Sequence, residues 1–175
     1  FLVSVLETDV DRVIVNSKST YETVLEYLKK IGKENVEVVL NENEDLTQMH
    51  DIAGQVEEMK ERKIWLKCGG FITIDKTEAL TAIDINSGKF TGKKNSSKEN
   101  TIYKVNQEAT VEIAKQLRLR NISGIIVIDY IDMEEEKDRK NIMNLLEKEL
   151  KKDRSKTQIM GFTKLDLLEM TRKKL

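Results

Sequence analysis

The chain has 175 residues, of which 35% are charged and 39% hydrophobic, and its formal net charge is −1. That is enough for one ordinary domain or two small lobes, and no apolar run approaches the roughly 20 residues that a membrane-spanning helix needs. One cysteine, Cys68, and one histidine, His50, exclude an internal disulfide and argue against a zinc centre or a histidine-based triad. A reducing, cytoplasmic setting fits. The small net charge hides an asymmetry: residues 1–60 carry 6 Lys/Arg against 13 Asp/Glu, whereas residues 61–175 carry 24 against 18. A polyanion would therefore bind the second half, although two ordinarily solvated faces would look the same.

In chain order, Phe1–Val5 reads as the tail of an element already under way, so a longer parent polypeptide is expected. Val10–Val15 (VDRVIV) predicts a strand, and Asn16–Thr20 a turn that caps a helix. Apolar residues at Tyr21, Val24, Leu25, Leu28 and Ile31 keep helical spacing as far as Gly32. Val36–Leu40 is a second strand. After an acidic loop a further helix is expected to about Lys60, with Ile52, Val56 and Met59 on one face. Cys68-Gly69-Gly70 is the clearest boundary. Beyond it Phe71–Ile74 and Ala79–Ile85 form a hairpin, and 87–100 reads as a mobile glycine- and lysine-rich loop. Thr101–Arg120 is a helix with Val105, Ala109, Ile113 and Leu117 in one row. Ile125–Ile128 (IIVI) reads as a strand buried on both faces. A helix from Glu134 to about Lys151 follows, and Thr157–Met160 and Leu167–Met170 close the chain as strands.

Two acidic residues stand out by position. Asp84 ends the apolar run Ala82–Ile85, and Asp129 directly follows Ile125–Ile128. A carboxylate at the end of a buried strand needs a cation or hydrogen-bond donors to satisfy it, and strand ends are where open α/β sheets bind ligands. Two such acids could share one Mg²⁺, which takes one or two carboxylates and leaves its other positions to water and substrate phosphate; Mn²⁺ could substitute. Asn86 falls on the same side of an extended chain as Asp84 and could orient it. The residues alone equally allow both aspartates to be turn formers bonded to backbone amides. Asp132 reads as either the cap of the following helix or an acid behind Asp129, with the cap preferred. Lys89, Lys93, Lys94, Arg118, Arg154, Lys156 and Arg172 are the basic candidates for holding the phosphates of a polyanion. Phe90 and Tyr103 are possible stacking residues, Trp65 is read as core, and His50 as a surface or packing residue.

At these residues the sequence resembles the ribonuclease E/G family. Gly69–Gly88 (GGFITIDKTEALTAIDINSG) is similar to the family's GGYIVI and TEALTAIDVNSG blocks. Asn106–Arg120 resembles its N-x-EAA…IARQLRLR helix, and Gly124–Met133 resembles GGIIVIDFIDM. Asp153-Arg154 with Lys156 and Gln158, and Leu168–Lys173, are similar to DR-x-x-TQ and LLEMTRKR. Five blocks in order cover nearly all of 69–174. Residues 1–66 match more loosely, with Arg62–Leu66 resembling RRVWL.

The resemblance implies a mixed α/β fold, with an RNase-H-like segment over 1–66 and a DNase-I-like catalytic lobe over 67–175, helices packed on a mixed sheet. It implies an Mg²⁺-dependent endoribonuclease that cleaves single-stranded RNA to leave 5′-phosphate and 3′-hydroxyl ends. Asp84 and Asp129 would bind the metal, and Asn86 would assist. The family's OB-type RNA-binding domain, 5′-monophosphate pocket and zinc link between protomers are expected outside 1–175. The full-length parent is therefore expected to be a homo-oligomer, with no zinc in this segment. A non-catalytic RNA-binding or scaffold lobe, and a Mg²⁺-dependent phosphatase, are the competing readings.

Overall fold

A computed structural model of the chain describes residues 10–88 and 98–174, with 98–100 described by their backbone alone. It divides into two compact units, 1–58 and 59–175. In the first, strands β1 (Arg12–Val15) and β2 (Glu37–Leu40) pair in parallel through helix α1 (Lys18–Lys30). The Ser17 hydroxyl accepts from the Thr20 amide at 3.3 Å and starts α1. Gly32, at a φ of 69°, lets the chain leave it. Val15, Val24, Leu28 and Val36 form a small core.

The expected helix to Lys60 is instead two short ones, α2 (Leu46–Met49) and α3 (Ile52–Glu58). Asp51, in left-handed backbone at a φ of 47°, separates them. Neither buries a residue, and Ile52 and Val56 face solvent rather than a core.

The second unit is a six-stranded mixed sheet in the order β3-β4-β5-β6-β8-β7. Its strands are β3 (Lys63–Trp65), β4 (Phe71–Lys76), β5 (Leu80–Asn86), β6 (Gly124–Asp129), β7 (Thr157–Phe162) and β8 (Leu167–Arg172). Every neighbouring pair is antiparallel except β5 and β6, which run parallel. A parallel pair needs a crossover, and helix α4 (Lys98–Leu119) makes it. Helix α5 (Glu136–Leu150) joins β6 to β7. Both helices pack on one face, where Ile72, Ile83, Ile85, Ile126, Ile128, Leu168 and Met170 meet Val105, Ile113, Leu117, Ile142 and Leu146 in one core.

This is the mixed α/β architecture expected, with two differences in how it is covered. Ile125 is 53% exposed, so the Ile125–Ile128 run is buried on one face only, with Ile126 and Ile128 inward. Trp65 is 63% exposed on the edge strand β3, outside the core. Because β3 is bonded to β4, residues 63–65 belong to the sheet; the compact unit starts at Met59, ahead of the 66/67 boundary read from the sequence. Among the described residues no helix is long and apolar enough to cross a membrane.

One buried ion pair closes the sheet. Arg172, at the end of β8, is 2% exposed. Its Nε donates to Asp153 Oδ2 at 2.7 Å and its Nη1 to Asn121 Oδ1 and to the Ile122 carbonyl, each at 2.9 Å. The side chain is therefore committed inside the fold and unavailable to RNA phosphate, contrary to the sequence reading. Burial pushes the Asp153 carboxyl up. Hydrogen bonds from Arg172 and the Ser155 amide, with the charges of Arg172 and Arg118, outweigh that and hold it below the ordinary carboxylate value.

Arg172→Leu should cost about 3–5 kcal/mol, because it strands a buried carboxylate; urea unfolding at neutral pH would measure it. An acid with a depressed folded pKa contributes stability above its unfolded value of about 3.9, and that contribution is lost as pH falls through the folded value. Native stability should therefore fall on acidification below about pH 4, with a shallower dependence in Arg172→Leu.

Candidate functional site

The parallel pairing of β5 with β6 sets Asp84 and Asp129 directly opposite each other. Neighbouring strands lie about 4.8 Å apart, and side chains at matched register share a face. That face is the open one: Asp84 and Asp129 are both exposed, while Ile83, Ile85 and Ile128 point into the core. Both acids sit where their strands run out, β5 at Asn86 and β6 at Asp129.

Asn86 lies on the same face, two residues on from Asp84, and its Nδ2 donates to Asp84 Oδ2 at 2.5 Å. Partial burial, then the negative charges of Asp84 and Asp132, push the Asp129 carboxyl above its ordinary value. Asp132 is thus the acid behind Asp129. It is not the helix cap, since α5 starts at Glu136 with Glu135 in the cap position.

The donors gathered here are all oxygen. Among the described residues no cluster of three or more His, Cys, Asp or Glu could hold a metal. A two-carboxylate site is what Mg²⁺ ordinarily takes from a protein. The mutual repulsion felt by Asp129 is what a cation would relieve, so the residues present fit that ion.

Several residues that hold the site in shape had not been singled out in the sequence. The buried Asn106 of α4 donates from Nδ2 to the Ile131 carbonyl at 2.8 Å and accepts from the Ile131 amide at 3.2 Å. Asn106 thereby pins the segment between Asp129 and Asp132. Thr110, one turn along, meets the buried Tyr130 hydroxyl at 3.0 Å. The Glu108 carboxylate accepts from the Lys67 and Cys68 amides and ties the turn before β4 to the same helix.

Gly88 closes against that turn. A Cβ there would lie 2.5 Å from the Gly69 carbonyl oxygen, and its φ of 58° is a conformation that side chains resist. The helical register of NQEAT in α4 would have shown that Asn106 and Thr110 share a buried side, since they are four residues apart. Nothing local marked them as partners of 130–131.

The basic candidates scatter. Lys89, Lys93 and Lys94, with Phe90, lie outside the described residues. Arg118 is half-buried, and its Nη1 donates to the Glu149 carbonyl at 3.3 Å. Arg154 and Lys156 are exposed. Lys156 borders a cavity of about 300 Å³ with Gly124, Ile125, Gln158, Thr171 and Lys173. That cavity is at the start of β6, and Asp129 is at its end, so Lys156 is not brought to the carboxylate pair. Arg62, which the sequence reading passed over as a cation, feels the charge of Asp84 and makes a two-pronged bond to Asp75, with both contacts at 2.5 Å. Tyr103 is half-buried against the core, and His50 lies in the first unit.

An α/β sheet with an all-oxygen acidic site at the ends of its one parallel strand pair is the class of protein that these elements define. The Ribonuclease E/G family profile matches residues 1–175, and the chain belongs to that family. Ribonuclease G of Salmonella typhimurium (strain SL1344) is 43% identical over 170 residues, covering 96% of this chain and 34% of its own length. Ribonuclease G of Escherichia coli (strain K12) is 42% identical over the same coverage. Ribonuclease E of Nostoc sp. is 37% identical over 171 residues, covering 95% of this chain and 25% of its own. The chain thus spans about a third of the length of the ribonuclease G relatives.

Asn106→Ala should leave the Ile131 amide and carbonyl without partners, at about 1–3 kcal/mol for each unsatisfied group. The expected outcome is faster hydrogen exchange at Ile131 and its neighbours, with the exchange of β4 little changed. Native protection at Ile131 in the variant would contradict the pinning role.

Proposed function

We propose that this chain is the catalytic part of an endoribonuclease that cleaves single-stranded RNA with the help of Mg²⁺ or Mn²⁺. The observation that carries the reading is the register match of Asp84 and Asp129 on the open face, with Asn86 bonded to Asp84. Membership of a family whose relatives are named Ribonuclease G and Ribonuclease E supplies the substrate class. The expected division into an RNase-H-like segment and a DNase-I-like lobe belongs to the same proposal.

Asp84 and Asp129 would hold the cation. When bound, such an ion supplies an acidified water as nucleophile and polarises the phosphoryl oxygen. The residues' own work is positional. Asn86 gives its amide hydrogen to Asp84 Oδ2 and so fixes the orientation of that carboxylate. Asn106, through Ile131, keeps the chain after Asp129 from drifting. Asp132 keeps the local field negative, which favours a cation over an unoccupied pair of acids. Cleavage in this manner would leave 5′-phosphate and 3′-hydroxyl ends.

Asp84→Asn or Asp129→Asn, made in the longest natural polypeptide that carries this chain, should lower the cleavage rate of an internally labelled RNA by several orders of magnitude. RNA affinity should change little, since a metal ligand acts on the transition state while phosphate contacts elsewhere carry binding. Near-wild-type turnover at saturating Mg²⁺ would refute the assignment. Release of terminal phosphate alone, with the internal label uncut, would point to a phosphatase instead.

A further inference from the structure

The open face of the sheet is ordered in rows that cross the strands. One row holds Trp65, Phe71 and Asn86, because Trp65 pairs with Phe71 and Phe71 with Asn86. The adjacent row holds Lys63, Thr73, Asp84 and Asp129. An aromatic pair and a lysine therefore continue, across β4 and β3, the two rows that contain the candidate cation site.

Their contacts are specific. Trp65 and Phe71 meet edge to face, with ring centroids 5.3 Å apart. Lys63 Nζ lies 4.0 Å from the Trp65 centroid and 3.6 Å from that of Phe71. The lysine thus braces both rings by cation–π attraction while keeping its charge at the surface. Trp65 remains 63% exposed. Large aromatic rings are normally withdrawn from water, so a braced and solvent-facing tryptophan beside an acidic site offers a π-face to something. Its surroundings decide what. Lys63 puts a cation on the rings, Asp84 lies two strands from β3, and Asp129 lies three.

We propose that Trp65, Phe71 and Lys63 form a nucleotide subsite, in which a base of single-stranded RNA stacks on Trp65 and an adjoining phosphate is taken by Lys63. The inference rests on the ribonuclease reading above and adds where the strand is held next to the cut. With strands about 4.8 Å apart, the Trp65 backbone lies roughly 10 Å from that of Asn86, within reach of a nucleotide neighbouring the scissile phosphodiester. Stacking is indifferent to base identity, since every base has a π-face. The subsite therefore positions RNA without reading its sequence.

Trp65 is the chain's sole tryptophan, so its emission reports on this one ring. The 175-residue chain would be titrated in EDTA at low salt with a single-stranded oligoribonucleotide. Anisotropy of a labelled copy follows binding, and tryptophan emission from an unlabelled copy follows stacking. Quenching should saturate together with binding. Trp65→Ala should weaken affinity roughly 5- to 150-fold, the range found when one stacked base loses its aromatic partner, with an unchanged circular dichroism spectrum. Trp65→Tyr should recover most of the loss. Lys63→Met should flatten the dependence of log affinity on log salt by about 0.7. Binding seen by anisotropy, with unchanged emission and undiminished affinity in Trp65→Ala, would overturn the subsite and leave the ribonuclease reading standing. No binding at all up to roughly millimolar RNA would likewise overturn the subsite, while the ribonuclease reading stands or falls on the cleavage assay of the longer polypeptide.

Discussion

The parallel pairing of β5 with β6 is the constraint on which the rest of the molecule depends. Side chains alternate between faces along a strand, so a shift of one residue in this register would send one acid into the helix-covered core and leave the other in water. Neither strand could tolerate that. The isoleucines of whichever strand slipped, Ile83 and Ile85 or Ile126 and Ile128, would be expelled to the open face in the same movement. The apolar pattern that stabilises the sheet thus also fixes the geometry of the acids. The chain has no need to evolve the two properties separately.

Helix α4 enforces that register from both ends. It is the crossover that makes a parallel pair possible, and it carries polar groups, the buried Asn106 and Thr110 and the half-buried Glu108, that reach beyond its own packing. Asn106 grips the backbone after β6, Thr110 meets Tyr130, and Glu108 holds the turn before β4. Polar groups in a dry interior are costly unless every partner is met. Their partners exist only when the strands are at the correct height. A purely aliphatic helix face would cover the sheet as well, but it would tolerate sliding.

Much of this was legible in the residues, and the misreadings share a cause. The strands, the long helices and the placing of Asp84, Asn86 and Asp129 at strand ends follow from apolar periodicity and turn residues, which are local. What periodicity cannot say is which strand is an edge and which sheet face stays uncovered. Ile125–Ile128 therefore read as buried on both sides, and Trp65 as core, although each is apolar on a face that no helix covers. Arg172 read as surface charge because its partners, Asp153, Asn121 and Ile122, are distant in sequence and become neighbours only when β8 docks. Asp132 looked like a cap because a helix follows it. The local sequence did not show that α5 would start later, or that the three acids would come close enough to share one field.

The order of strands in the sheet differs from their order in the chain. β8 lies between β6 and β7, so β6 acquires its second neighbour only after α5, β7 and β8 have all been made. During synthesis α5 can shield the inner face of β6, but the bare amides and carbonyls along its edge await the β7–β8 hairpin. An apolar strand with an open edge is a template for pairing with other chains, so the nascent polypeptide passes through an interval of risk. Arg172 ends it. Its guanidinium reaches back to the residues just before β6, so the last residue of β8 latches the sheet shut.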